Sequence, residues 1–122
     1  MKTLFSKLDE NLKKKLRDIA LIVLDFDGVL TNNTVIHGQD GSESVSRSRA
    51  DSLAVDLLHE SGLYNKNEYQ SLKHSVDIVI LSRESNPVVK SVSEKIKVKC
   101  QSSVYKKCAA LREEARARDL DL

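Results

Sequence analysis

Hydrophobic positions switch between two periods along this chain, and the switches mark its elements. Leu4, Phe5, Leu8, Leu12, Leu16 and Ile19 recur at helical spacing with Lys and Asp between them. That predicts an amphipathic helix over about Thr3–Asp18, packed as a cover on one face of a domain. Ile19–Leu24 then runs apolar without alternation. So short a run, rich in branched side chains, predicts a strand buried on both faces, as in a parallel sheet. Thr34–His37 and Ser42–Arg47 flank Gly38-Gln-Asp-Gly41, which predicts a surface β-hairpin.

Leu53, Val55, Leu57 and Leu58 precede Gly62 and predict a helix over Asp51–Ser61 with a glycine at its end. Tyr64–Ser75 is polar and aperiodic, a loop or a helical excursion. Val76–Leu81 repeats the buried-strand pattern. Pro87 suits the first turn of a helix capped near Ser85 or Asn86, with Val88, Val89, Val92 and Ile96 on its apolar side. Lys97–Cys100 reads as a short third strand, and a last helix runs from about Val104 to Arg118. Strand and helix in this order predict a doubly wound, Rossmann-like α/β sheet over 19–122, preceded by the helical segment 1–18. In such sheets the active site lies outside the carboxyl ends of the strands, which here carry Asp25, Asp27 and Ser82.

Composition narrows the function classes. A length of 122 residues suits one modest core. The formal net charge of +2 gives no footing for nucleic acid or an anionic membrane as main partner. An aromatic share of 4% leaves little for stacking on single-stranded nucleic acid. No apolar run reaches bilayer length, and Met1-Lys2-Thr3 leads into no secretory signal. Cys100 and Cys108 fit neither a disulfide framework nor a zinc spacing, and His37, His59 and His74 are scattered. Reduced thiols in a cytoplasmic protein are the expectation.

Asp25 and Asp27 carry the sharpest chemical signal. Two carboxylates ending a buried strand, with Gly28 for a tight turn, repel each other unless a cation binds, and hard oxygen donors suit Mg²⁺. A carboxylate can also attack phosphorus to form an aspartyl-phosphate. A solvated strand-to-loop turn has the same composition. Ser82, after the second buried strand, could receive a phosphoryl oxygen or simply cap a helix. Lys106 and Lys107 open the last helix, where the macrodipole disfavours cations. A nearby anion would relieve that conflict, and an exposed basic pair is the plainer alternative. No Gly-x-Ser-x-Gly turn, Gly-x-x-x-x-Gly-Lys loop or Gly-x-Gly-x-x-Gly run is present.

Together these residues resemble the haloacid dehalogenase-like phosphatase superfamily. Asp25-Phe-Asp-Gly-Val-Leu-Thr31 matches its first motif, Ser82 its second and Lys107 its third. Gly41-Ser-Glu-Ser-Val45, Arg49-Ala-Asp-Ser-Leu53 and Leu81-Ser-Arg-Glu-Ser-Asn-Pro-Val-Val89 look like the branch acting on phosphorylated eight- and nine-carbon keto-sugar acids. The resemblance implies a phosphomonoesterase with Asp25 as nucleophile and Asp27 as general acid and base. It implies Mg²⁺ on the Asp25 carboxylate and the Asp27 carbonyl, and Ser82 and Lys107 on the phosphoryl oxygens. Arg49 and Asp51 would contact substrate. The hairpin would replace a cap domain and help build a homo-oligomer, a tetramer in that branch.

The sequence departs from the branch at several points. Ser52 and Ala54 stand where glycines are usual, and Val92 stands in place of Arg. Tyr64–Ser75 is extra, and the fourth motif, an acidic pair that supplies a further metal ligand, is expected beyond Leu122. A first strand lacking that neighbour exposes an edge that invites another chain. These departures set a second expectation beside the enzyme: a catalytically inactive phosphatase-like module for oligomerisation or regulation, as found beside sugar-acid cytidylyltransferases.

Overall fold

The computed structural model describes residues 7–63 and 76–122. Three parallel strands form its sheet, in the order β1 (Leu21–Leu24), β4 (Asp77–Leu81), β5 (Lys99–Gln101). Leu24 lies level with Ile80, and Ile80 with Cys100, so the strands end together on one side. β2 (Val35–His37) and β3 (Glu43–Val45) make a separate antiparallel hairpin. Asp40 Oδ1 accepts the Ser42 N–H at 3.0 Å in its turn, where Gly41 adopts a φ of 81°.

Alternation along the strands sorts the core into two layers. Ile22, Leu24, Ile78 and Ile80 face α2 (Arg49–Glu60) and α3 (Val88–Ile96), packing with Val55, Val89, Val92 and Ile96. Leu21, Val23, Val79 and Leu81 face α4 (Lys107–Arg116) through Ala110 and Leu111. Helices on both faces are what a doubly wound sheet requires. All five residues of β4 are buried, whereas β1 is only half-buried, contrary to its expectation. The reason is position: among the described residues, β4 has a strand on each side and β1 has one.

The first helix, α1, spans Glu10–Arg17 instead of starting at Thr3. Asp9 Oδ1 accepts the Leu12 N–H at 2.8 Å and so fixes the start; residues 3–6 lie outside the described residues. None of α1 is buried, so it covers the sheet less than its apolar stripe predicts. Leu16 and Ile19 instead line an apolar hollow with Ile22, Leu58, Leu63 and Val76. The expected loop or helical excursion at 64–75 also lies outside the described residues. α2 starts at Arg49 because Ser48 caps it through the Ala50 N–H. Asn86 caps α3, its Oδ1 accepting the Val88 N–H at 2.9 Å.

A buried ionic cluster fastens α4 to the sheet. Arg118 Nε meets Asp77 Oδ2 at 2.6 Å, and Glu114 binds Lys99 Nζ at 2.8 Å, Arg118 Nη1 and Gln101 Nε2.

Candidate active site

β1 delivers the chain into a turn built around Phe26, which is fully buried. The Phe26 carbonyl accepts the N–H groups of Leu30 at 2.9 Å and Thr31 at 3.2 Å. Thr31 is itself buried, and its Oγ1 accepts the N–H groups of Gly28 and Asn33, each at 3.2 Å. Gly28 has a φ of 75°, where any L side chain is strained. This turn holds Asp25 and Asp27 on either side of a core anchor and leaves both carboxyls in solvent contact.

Lys107 Nζ lies 2.6 Å from Asp25 Oδ1, which also accepts the Phe26 N–H at 2.7 Å. Burial pushes the Asp25 carboxyl up, but the Lys107 hydrogen bond, the Phe26 N–H and the Lys107 charge together hold it below its ordinary value. Asp27 moves the other way. Partial desolvation raises it, and the charges of Glu84 and Asp25 add to the rise against a smaller opposing effect of Lys107. Two carboxyls two residues apart are thus shifted in opposite directions, Asp25 down and Asp27 up.

Ser82 follows β4 and is 1% exposed. Its N–H donates to the Gln101 carbonyl at 2.9 Å, its carbonyl accepts the Val104 N–H at 2.8 Å, and its Oγ accepts the Glu84 N–H at 3.0 Å. The hydroxyl therefore ties its own loop and does not cap α3. Asp25 and Ser82 sit at the same end of adjacent parallel strands, and Lys107 reaches that end from α4. Asp25 is the anion that answers the placement of Lys107 in the first turn of a helix.

Arg49 and Asp51 stand apart. They open α2, and among the described residues neither pairs with Asp25, Asp27 or Lys107. Asp51 lines a polar groove with Thr31, Asn32, Ser46, Arg47 and Ser48, next to the turn. Glu84, which bears on Asp27, was not singled out by sequence reasoning; the available signal was an acid immediately after a buried strand. Glu84 also accepts the N–H groups of Ser85 and Asn86 at 2.8 and 2.9 Å.

For a metal, the Asp25 carboxylate and the Asp27 carbonyl offer hard oxygens of the kind Mg²⁺ takes. Among the described residues, no group of three or more His, Cys, Asp or Glu is placed to hold a metal ion. Nor is any helix among them long and apolar enough to cross a membrane.

No protein-family model matches the chain. Among solved structures, a protein assigned to the HAD family of hydrolases, from Streptomyces avermitilis MA-4680, is 34% identical with a TM-score of 0.68. That match covers 84% of this chain and 52% of that one. The 3-deoxy-D-manno-octulosonate 8-phosphate phosphatase of Moraxella catarrhalis, solved in complex with magnesium ion, phosphate ion and KDO, is 20% identical with a TM-score of 0.72, over 89% of this chain and 56% of that one. The corresponding phosphatase of Yersinia pestis is 15% identical with a TM-score of 0.75, over 99% and 59%. The two phosphatases share the fold. The chain spans little more than half the length of these proteins.

Proposed function

Because the chain belongs to the haloacid dehalogenase-like (HAD) superfamily of hydrolases, we propose that its Asp25–Lys107 cleft is the phosphoryl-transfer centre of a phosphomonoesterase acting on a sugar-acid phosphate. The observation that carries this reading is the 2.6 Å contact between Asp25 and Lys107 at the carboxyl end of β1. Asp25, kept ionised by Lys107, is the nucleophile. Its Oδ1 is engaged by Lys107 and the Phe26 N–H, so Oδ2 attacks phosphorus. The bond from phosphorus to the leaving alkoxide breaks, and Asp27, with its raised proton affinity, protonates that alkoxide. Asp27, now ionised, takes a proton from water, which attacks the aspartyl-phosphate and releases phosphate. Lys107 and the Ser82 loop stabilise the phosphoryl oxygens as charge shifts.

The Asp25 carboxylate and the Asp27 carbonyl would hold a divalent cation, Mg²⁺ in this reading, which offsets charge on the phosphoryl oxygens. The keto-sugar-acid substrate rests on the sequence resemblance to the eight- and nine-carbon branch, including the Leu81–Val89 segment. The β2–β3 hairpin belongs to the same reading as an assembly element of a homo-oligomer. A second reading, the catalytically inactive phosphatase-like module for oligomerisation or regulation, is favoured by Ser52, Ala54 and Val92, which stand where the branch has glycines and Arg.

Phosphate release from 3-deoxy-D-manno-octulosonate 8-phosphate and an acylneuraminate 9-phosphate, assayed with and without Mg²⁺, separates the two. For the enzyme, Asp25→Asn abolishes release, and Asp27→Asn lowers it by about 10²–10⁴-fold. Phosphate binding by wild type with no release on either substrate favours the module.

A further inference from the structure

We propose that Arg83, held over the ring of Tyr105, is a specificity-determining site that binds a carboxylate on the leaving group of the substrate. This deepens the phosphatase reading and rests on it. The Arg83 guanidinium carbon lies 5.8 Å from the Tyr105 ring centroid, within cation–π range. Tyr105 is 71% exposed, in a chain with few aromatic residues. An apolar ring left in water is costly, and here its face serves to hold a cation.

Two loops fix the pair. Past the ends of β4 and β5, Ser82 N–H bonds to the Gln101 carbonyl at 2.9 Å, Val104 N–H to the Ser82 carbonyl at 2.8 Å, and Ser103 N–H to the Glu84 carbonyl at 3.0 Å. This ladder brackets Arg83 on one loop and leads directly into Tyr105 on the other. Ser103 adopts a φ of 58°, so the second loop makes a defined turn there.

Chain position also relates the pair to the cleft. Leu21 and Val23 of β1, and Val79 and Leu81 of β4, point towards α4. Asp25 follows β1 on that side, where α4 supplies Lys107 to it, and Arg83 lies two residues past Leu81 in the loop that Ser103 ties through the Glu84 carbonyl. Arg83 follows Ser82 directly, and Tyr105 precedes Lys107 by two residues. Sequence adjacency thus ties the pair to the two loops that lead from Ser82 and into Lys107.

Carboxylate is the matching ligand. Arg83 is exposed, and no hydrogen bond to it is made among the described residues. With no such bond made, the guanidinium keeps its N–H fork for an acceptor, and that fork fits a planar carboxylate in two-point contact. The phosphoryl group has its own partners in Lys107 and the Ser82 loop, so Arg83 is left for the second anionic group of the substrate.

The test compares 6-phosphogluconate with glucitol 6-phosphate, which share a carbon skeleton and differ in carboxylate against CH₂OH, using calorimetric binding to the full chain. Inorganic phosphate is the control. Wild type should favour the acid by about tenfold or more, the range of a charge-assisted contact. Arg83→Gln should bring the ratio near one while phosphate affinity holds. Tyr105→Phe should keep the preference, since the ring face suffices, and Tyr105→Ala should reduce it. Phosphate binding with no acid preference in wild type, or a preference that survives Arg83→Gln, overturns this inference alone. Failure to bind phosphate at all overturns the phosphatase reading and the inference with it.

Discussion

At the scale of single residues, Asp25 and Asp27 show how one turn sets two carboxyls to opposite tasks. Asp25 has a cation at 2.6 Å and a backbone donor at 2.7 Å, whereas Asp27 faces the charges of Glu84 and Asp25. The expected outcome in a carbon-detected NMR titration is Asp25 below and Asp27 above the ordinary carboxylate range of about 4. Lys107→Met should move Asp25 upward and Asp27 upward as well, since both lose the same cation. The stability consequences have opposite signs. A depressed folded value means that Asp25 stabilises the fold above its unfolded pKa, and that this is lost as pH falls through the folded value. A raised folded value means that ionised Asp27 destabilises the fold at neutral pH. Asp27→Asn should therefore raise the thermal midpoint at pH 7, and Asp25→Asn should lower it. Both effects are small because both groups are solvent-exposed. A fall in midpoint for Asp27→Asn would show that the acidic crowding does not strain the turn. Raised stability combined with lost chemistry is what a functional site predicts.

Among the elements, α4 matters most, because it carries Lys107 at one end and a buried ionic cluster at the other. Glu114 is 2% exposed and Asp77 4%, so neither can lose its cation cheaply. Burial pushes Glu114 up, yet Lys99, Arg118 and Gln101 hold it below the ordinary value. Its contribution is thus present at neutral pH and fades as pH falls through that depressed value. Arg118→Met leaves Asp77 unpaired and removes one of the partners of Glu114. It should cost about 3 kcal/mol in urea unfolding at pH 7, in the range for breaking one side of a buried pair. A cost near zero would mean that water reaches the cluster. None of this was legible in the sequence. Arg118 and Asp77 lie 41 residues apart, and each alone looks like an ordinary surface charge. The strands β1 and β4 were legible because Leu21–Leu24 and Ile78–Leu81 are continuous runs of branched apolar residues, which admit few alternatives. The start of α1 was not, because Leu4, Phe5 and Leu8 extend the helical period past the Asp9 cap. That Asp25, Asp27 and Ser82 follow strands and Lys107 opens a helix was legible, whereas the roles proposed for them came from the family resemblance. Glu84 and the Arg83–Tyr105 pair were not legible, because they depend on how two loops meet.

Across the whole molecule, stability is organised outward from β4. It pairs with β1 on one side and β5 on the other, and every residue in it is buried. β1 has a neighbour on one side only among the described residues. Asp77 N–H donates to the Ala20 carbonyl at 2.8 Å. A strand residue presents its N–H and C=O to the same side, so Ala20, Ile22 and Leu24 face β4, while the N–H groups of Leu21 and Val23 face away. Hydrogen exchange should therefore split this strand. Ile22 and Leu24 should exchange slowly, together with Ile78, Val79 and Ile80 of β4, by opening of the sheet. Leu21 and Val23 should exchange faster, limited only by local shielding from their half-buried surroundings. The split is also a gauge of the assembly expected from the exposed edge. If Leu21 and Val23 are as protected as Ile22, and the protection weakens on dilution, another strand lies along β1 in solution. Protection that is equal and independent of concentration would mean that this chain covers its own edge, and the sheet order β1-β4-β5 would then be incomplete on that side.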